Sequence, residues 1–202
     1  DAMPFRSLKS WLMPVISQRF LSRERLLALR HKAEQKRQSQ SRPHVLHFFH
    51  QVDDPYSQLL AQTIPAIQSR YAVSVLQHLV GDPDNSAVPE RDKLKAYSLL
   101  DAARLASQYG LRWPEHSDHP HSPKPTAESL QTSHRLRKTW GHYLSGTIYY
   151  EGEWYWGIDR LHHLESRLTE LGLATYIRSQ RQQQHAPLFE TPQYQNLSNV
   201  PE

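Results

Sequence analysis

One part of the chain constrains the fold more than any other, because a strand, a helix and a second strand follow one another directly. The first strand is predicted over 44–50, a run rich in apolar residues. Asp54 is a good helix N-cap and Pro55 suits the first helical position, so a helix is predicted from there to about Ser69. A second strand is predicted over 71–80. A β-α-β unit of this length implies two parallel strands joined by a right-handed crossover.

The rest of the pattern adds helices and an antiparallel hairpin. Helices are predicted over 89–109 and 127–142, with a proline-rich loop between them. Strands are predicted at 146–150 and 153–156, and a last helix begins near Asp159. The order β-α-β, helical insertion, β-β-α predicts an α/β fold of the thioredoxin-like kind, with a helical N-terminal arm in front of it.

Composition divides the chain into three parts. Residues 1–42 are predicted to be a basic helical N-terminal arm and linker. The domain proper spans 43–179 and includes a shortened helical insertion at about 111–142. Residues 180–202 are rich in Gln, Pro and Asn and are predicted to form an extended polar tail.

The arm carries the strongest charge asymmetry of the chain. An amphipathic helix or two short ones are predicted over 4–21, and a further helix over 22–38. Ten Lys and Arg against three acidic residues give the arm a net charge of +7, whereas fourteen against seventeen give the remainder −3. Such asymmetry can indicate an anionic partner, but no aromatic stacking platform accompanies these cations. We therefore expect the arm to pack on the domain or a neighbour, and expect neither nucleic acid nor a membrane surface as a partner.

The chain contains no cysteine. This excludes disulfides, cysteine metal sites and thiol nucleophiles from the chain, and it fits a cytoplasmic protein. The first residues lack the charged start, apolar run and cleavage site of a secretory signal. No run of about 18 apolar residues predicts a transmembrane helix. The localisation we expect is cytoplasmic.

Two segments resemble a known family. Residues 47–57, HFFHQVDDPYS, are similar to the first strand and turn of DsbA-like thioredoxin-fold proteins. Within that family the resemblance is closest to the 2-hydroxychromene-2-carboxylate isomerases and the kappa-class glutathione transferases. Residues 152–161, GEWYWGIDRL, resemble the closing hairpin and helix start of these enzymes, commonly G-E-x-F-W-G-x-D-R-L. With the order of the elements, the resemblance covers 44–172 and implies thiol or glutathione chemistry.

The resemblance also implies roles for individual residues. Asp54 occupies the place of the reactive cysteine or serine, and Ser57 that of the second cysteine. Asp159 matches the acidic residue that receives the γ-glutamyl end of glutathione, and Thr147 matches the threonine after the family's cis-proline. Glutathione, a small-molecule thiol, is the one cofactor implied, and no metal is predicted. The predicted catalytic residues are Asp54 and Ser57, and the predicted cofactor-binding residues are Tyr56, Thr147, Asp159 and Arg160.

The sequence departs from the family at the active positions. An ionised Asp54 only accepts hydrogen bonds and repels a nearby anion, so it would raise the pKa of a bound thiol. Gly146 stands where the cis-proline should be, and a cis bond there would cost about 2.5–4 kcal/mol, so we expect a trans peptide. The helical insertion is also shorter than is usual for the family. Two functions follow as alternatives: a non-catalytic binding or scaffold module, or a glutathione-dependent isomerase or transferase with Asp54 in a changed role.

Each residue of the turn also has a purely structural interpretation. Asp54 is either a general base paired with the neighbouring Asp53, or simply an N-cap that the helix dipole keeps ionised. Asp53 is expected to face solvent. Ser57 has no base paired with it in any motif, so we expect a solvated or capping hydroxyl. Tyr56 either lines the mouth of a cleft or packs beneath the loop.

Two further groups of residues invite a functional interpretation. His116, His119 and His121 form a zinc-like ligand set with nearby acids, but their spacing on a proline-rich loop matches no known structural site. The closing hairpin is rich in aromatic residues, and one face of the hairpin must fill the core. We expect the other face to dock a second DsbA-like domain or an identical chain. The aromatic residues concerned are Tyr143, Tyr149, Tyr150, Trp154, Tyr155 and Trp156.

Overall fold

The computed structural model describes residues 23–82, 91–113 and 126–175. The chain divides into two compact units, Asp1–Pro43 and His44–Glu202. The predictions for 4–21 and for the polar tail lie outside the described residues.

The described part of the first unit is a helix, α1 (Arg23–Ser39), which confirms the helix predicted over 22–38. Near its end, Arg37 binds Glu34 through two hydrogen bonds, with Nε to Oε2 at 2.9 Å and Nη2 to Oε1 at 2.6 Å. The same guanidinium donates to the carbonyl of Arg42. Arg37 therefore ties the last turn of α1 to the chain that follows it.

The second unit is built on a four-stranded mixed sheet. Its strands are β1 (Val45–His50), β2 (Ser74–Leu79), β3 (Thr147–Tyr150) and β4 (Glu153–Trp156), in the order β2-β1-β3-β4. β1 and β2 are parallel, whereas β3 runs antiparallel to both β1 and β4. The parallel pair and the closing hairpin predicted from the sequence are both confirmed.

Four helices pack with this sheet: α2 (Pro55–Arg70), α3 (Arg91–Gln108), α4 (Ala127–Thr139) and α5 (Leu161–Glu170). A 3₁₀ turn, Ile158–Arg160, leads into α5. With α1, the described residues form a mixed α/β structure of four strands and five α-helices, which confirms the predicted α/β class. None of the helices in the described part of the chain is both long and apolar enough to cross a bilayer.

Helix α4 ends earlier than the sequence pattern predicts. The predicted helix reached about His142, but α4 stops at Thr139 with Trp140 as its C-cap. Gly141 takes a φ of 85°, a left-handed conformation that cannot continue a right-handed helix. This early end places the rings at positions 140 and 142 over the sheet.

The main core lies between one face of the sheet and helices α2, α3 and α5. The alternation along β1 places Leu46 and Phe48 on this face, and the inward residues of α2 meet them there. Each large apolar side chain that is fully buried contributes about 1.5–3 kcal/mol relative to an exposed one. The fully buried residues of this core are Leu46, Leu59, Leu60, Ile67, Ala102, Ile148, Tyr150, Leu161, Leu164 and Leu168.

The opposite face of the sheet carries a second layer of aromatic rings. Trp140 stacks on Tyr149 with 4.3 Å between ring centroids, and His142 stacks on Trp154 at 4.5 Å. The indole N–H of Trp154 donates to the carbonyl of Trp140 at 3.1 Å. The segment after α4 therefore covers the outer face of the hairpin. This is the face that we expected to be exposed and to dock a partner.

Candidate functional site

The candidate site lies at the N-terminus of α2, which Asp54 caps. Its backbone is extended, with φ −89° and ψ 120°, and its carboxylate accepts the N–H of Ser57 at 2.9 Å. The same oxygen, Oδ2, accepts the hydroxyl of Ser145 at 3.2 Å. The N-cap interpretation of Asp54 is confirmed. The carboxylate also joins two distant parts of the chain, since Ser145 lies two residues before β3.

Burial raises the pKa of the Asp54 carboxyl above its ordinary value, against the opposing effect of hydrogen bonds from Ser57 and Ser145. Desolvation is the largest of these effects on the pKa of the carboxyl. Asp53 is exposed, as predicted, and its Oδ1 accepts from the Gln51 amide at 3.0 Å. The two carboxylates occupy different environments, and Asp53 takes its hydrogen bond from Gln51.

Ser57 is fully buried, so of the two alternatives, a solvated or a capping hydroxyl, the solvated one was wrong. Its Oγ accepts the backbone N–H of Gln51 at 3.1 Å. Its hydroxyl also hydrogen-bonds to Asp54 and thereby lowers the pKa of that carboxyl. A serine beside a carboxylate has the elements of an activated nucleophile. With no exposed surface, however, its oxygen cannot reach a substrate in this conformation.

Gly146 faces the same helix terminus at very short range. A Cβ on this residue would lie 3.1 Å from the backbone nitrogen of Ser57 and 3.3 Å from Asp54 Oδ2. Its N–H donates to the carbonyl of Phe49 at 3.0 Å, and its carbonyl accepts the N–H of Gly157 at 2.9 Å. The described backbone contains no cis peptide, so the trans prediction at Gly146 is confirmed. This position has a φ of 64° and close neighbours, and both features favour glycine.

Three further residues predicted to bind a cofactor lie in or after the β3–β4 hairpin, and they differ in solvent exposure. Thr147 is fully buried in β3, and its hydroxyl donates to the carbonyl of Leu144 at 3.5 Å. Asp159 and Arg160 lie in the 3₁₀ turn with 45% and 60% of their side chains exposed, and Oδ2 is 3.6 Å from Nε. Asp159 and Arg160 are therefore open to a soluble ligand, whereas Thr147 is not.

Tyr56 lies at the rim of the site. Its hydroxyl donates to Asp101 Oδ2 at 2.8 Å, and its ring meets that of Trp156 edge to face at 6.0 Å. Burial raises the pKa of the Tyr56 phenol well above its ordinary value, and the neighbouring Asp101 carboxylate adds to this. Because Trp156 is 45% exposed, the two rings form a partly open aromatic rim that supports the cleft-mouth interpretation of Tyr56.

Sequence reasoning missed two residues of this site. Ser145 is adjacent to Gly146, the position matched to the family's cis-proline, so a polar neighbour there was a usable signal. Asp101 lies within α3 and belongs to no motif, so only the packing of α3 against α2 reveals it. Among the described residues, no three His, Asp or Glu side chains are placed to hold a metal ion. The histidines at 116, 119 and 121 lie outside the described residues.

The buried carboxyl makes a pH-dependent prediction. Because its pKa is higher in the folded protein, the unfolded chain releases the Asp54 proton first as pH rises, and the ionised group then destabilises the fold. Asp54→Asn keeps an oxygen for the Ser57 N–H but carries no charge. Its free energy of unfolding, relative to wild type, should therefore increase as the pH rises above the ordinary pKa of an aspartate and level off above the folded pKa. Urea denaturation of both proteins across this range measures the difference, and a flat or falling difference contradicts the prediction.

Asp54, Ser57, Ser145 and Gly146 thus form a closed polar cluster, beside an open rim of Tyr56 and Trp156. Within the cluster, Asp54 Oδ2 accepts both the Ser57 N–H of the first turn of α2 and the Ser145 hydroxyl. No protein-family model matches the chain, and comparison with curated proteins and with solved structures gave no significant match.

Proposed function

We propose that residues 44–175 form a thioredoxin-like domain of the DsbA-like kind. The sheet order β2-β1-β3-β4 supports this, because that fold follows a β-α-β unit with an antiparallel hairpin and a closing helix. The contact of Asp54 with Gly146 also supports it. In that family the reactive residue and the cis-proline face each other in the same way.

Within this proposal, the domain acts as a non-catalytic binding or scaffold module. The observation that carries this is the carboxylate of Asp54 at the N-terminus of α2. In a thiol enzyme this helix terminus would stabilise a thiolate. Here an internal anion accepts the Ser57 N–H, and an incoming thiolate would meet a like charge within a few ångströms. The burial of Ser57 removes the second predicted catalytic group from contact with solvent.

One observation favours the alternative, a glutathione-dependent isomerase or transferase. Asp159 and Arg160 remain exposed in the 3₁₀ turn that follows β4, the strand that ends at Trp156. In this alternative, Asp159 receives the γ-glutamyl ammonium of glutathione and Tyr56 with Trp156 borders the thiol end. Asp54 would then act on the second substrate as a general base, a task that a raised pKa suits.

Calorimetric titration of glutathione into the pure protein separates the two functions. The binding module predicts no heat of binding up to millimolar glutathione. Binding at sub-millimolar affinity would contradict it and favour the enzyme. In that case Asp159→Asn should abolish binding, whereas Glu170→Gln, which neutralises an exposed acid on α5, should leave it unchanged.

The predicted docking surface is smaller than the sequence implied. We propose that it consists of the exposed aromatic residues of the hairpin region, where Tyr143 and Trp156 expose 54% and 45% of their surface. Tyr150 and Tyr155 are instead buried in the core, and Tyr149 and Trp154 are covered from above. A second DsbA-like domain or an identical chain would contact this area through two rings rather than six.

A further inference from the structure

The segment 55–81 is almost free of charge. It contains one charged residue, Arg70, in a chain that is 22% charged overall. That guanidinium lies 3.5 Å from Glu165, so its charge is balanced within the domain. Burial and the adjacent His47 lower the pKa of His78 to about 4, which leaves it neutral at physiological pH. Helix α2 and strand β2 therefore present an uncharged surface, as the centres of protein interfaces do.

Strand β2 lies at an edge of the sheet, with β1 as its neighbour on one side. Among the described residues, no strand pairs with its other side. The N–H groups of Ser74 and Val80 donate to the carbonyls of His44, just before β1, and His50, its last residue, at 3.0 and 2.9 Å. Alternate residues therefore direct their backbone groups the other way. Edge strands are usually protected by Lys, Pro or a bulge, and β2 contains neither Lys nor Pro. The residues whose backbone groups point outward are Val75, Gln77 and Leu79.

We propose that two copies of this chain associate through β2, antiparallel, with Gln77 on the two-fold axis. Residues directly opposite each other in a sheet share a face, and the outward backbone groups must oppose each other to bond. The register centred on Gln77 satisfies both conditions and is the one that brings all three outward residues of each β2 into hydrogen-bonded pairs. It places Val75 of one copy opposite Leu79 of the other, and Leu76 opposite His78.

This register explains why the partner is a second copy. Every cross-strand pair in it is uncharged, and the two Gln77 amides can hydrogen-bond to each other across the axis. Leu76, which is 50% exposed on β2, becomes covered. The contact is self-complementary, as a two-fold interface requires, and it joins two four-stranded sheets into one of eight strands. The inference uses the sheet order and the uncharged character of β2, and it does not depend on the proposed function.

Light scattering on the full chain tests the proposal directly. The wild type should have twice the chain mass of 23.6 kDa. Gln77→Lys places two ammonium groups opposite each other on the axis and should raise the dissociation constant about 100-fold, and Gln77→Glu should do the same with two carboxylates. An equimolar mixture of these two variants should recover the dimer, because Lys then faces Glu.

A matched control is Ser166→Lys, which adds the same charge at an exposed site on α5, the helix that packs on β4. This variant should remain dimeric, and circular dichroism should show that all variants are folded. A monomeric wild type overturns the proposal. So does a dimer that tolerates Gln77→Lys, since its interface then lies elsewhere, for example at the aromatic hairpin. If the mixture of Gln77→Lys and Gln77→Glu does not dimerise, the proposed two-fold axis at Gln77 is wrong.

Discussion

Replacing Gly146 with alanine is expected to lower the free energy of unfolding by about 2–4 kcal/mol. Two effects add at this position. The backbone has a φ of 64°, where a side chain costs about 1–2 kcal/mol. The new Cβ would also lie 3.1 Å from the nitrogen of Ser57 and 3.3 Å from the carboxylate of Asp54. These are atoms of a helix terminus held by its own hydrogen bonds, so they cannot move away without weakening the cap.

Gly110 provides a matched control for the backbone effect. Its φ is 63°, almost the same, but a Cβ there would meet no atom within 4 Å. Gly110→Ala should therefore cost only about 1–2 kcal/mol, from the conformation alone. Urea denaturation of both variants measures the two losses, and their difference is the cost of crowding the α2 terminus. Equal losses would show that the chain before β3 does not press against this helix.

The elements of the fold could be predicted because their signals are local. Asp54 followed by Pro55 marks a helix start through one side chain and one fixed φ, whatever surrounds them. The turn at Glu151 and Gly152 is equally local, since both residues take a positive φ, 41° and 93°. The α/β class follows from the order of these elements, and the structure bears it out.

The chemistry of the site could not be predicted in the same way, because it depends on packing between distant segments. Ser57 reads as a first-turn helical serine, and only the position of β1 makes it buried. The pKa of Asp54 is raised by desolvation, and the carboxylate lies against Ser145 and Gly146, which are distant from it in the sequence. Trp140 covers the hairpin because α4 ends at a glycine one residue later. In each case the sequence does not reveal which distant segments of the chain pack against each other.

Arg167 is expected to have the largest effect on stability among the charged residues considered, although it lies outside the site. Its side chain is 3% exposed, and Nη1 lies 2.8 Å from Glu153 Oε1. The guanidinium also donates to the carbonyls of Tyr150, at 2.9 Å, and Glu151, at 3.2 Å. It lies 4.7 Å from the centroid of the Tyr150 ring. One side chain of α5 thus holds both strands and the turn of the closing hairpin.

Arg167→Ala should lower the free energy of unfolding by about 3–5 kcal/mol. The substitution leaves the partly buried carboxylate of Glu153 without this cation, and the carbonyls of Tyr150 and Glu151 without this hydrogen-bond donor. Arg167→Lys should recover only part of this, since one ammonium cannot reproduce the fork of the guanidinium. Arg160→Ala is the matched control, because its ion pair with Asp159 is exposed and should contribute less than about 1 kcal/mol. Equal losses for Arg167→Ala and Arg160→Ala in urea denaturation would contradict this account. In that case the apolar residues of the hairpin alone would hold it in place. Gly146, which lies at the start of the hairpin and contacts α2, would then be positioned by the core and not by α5.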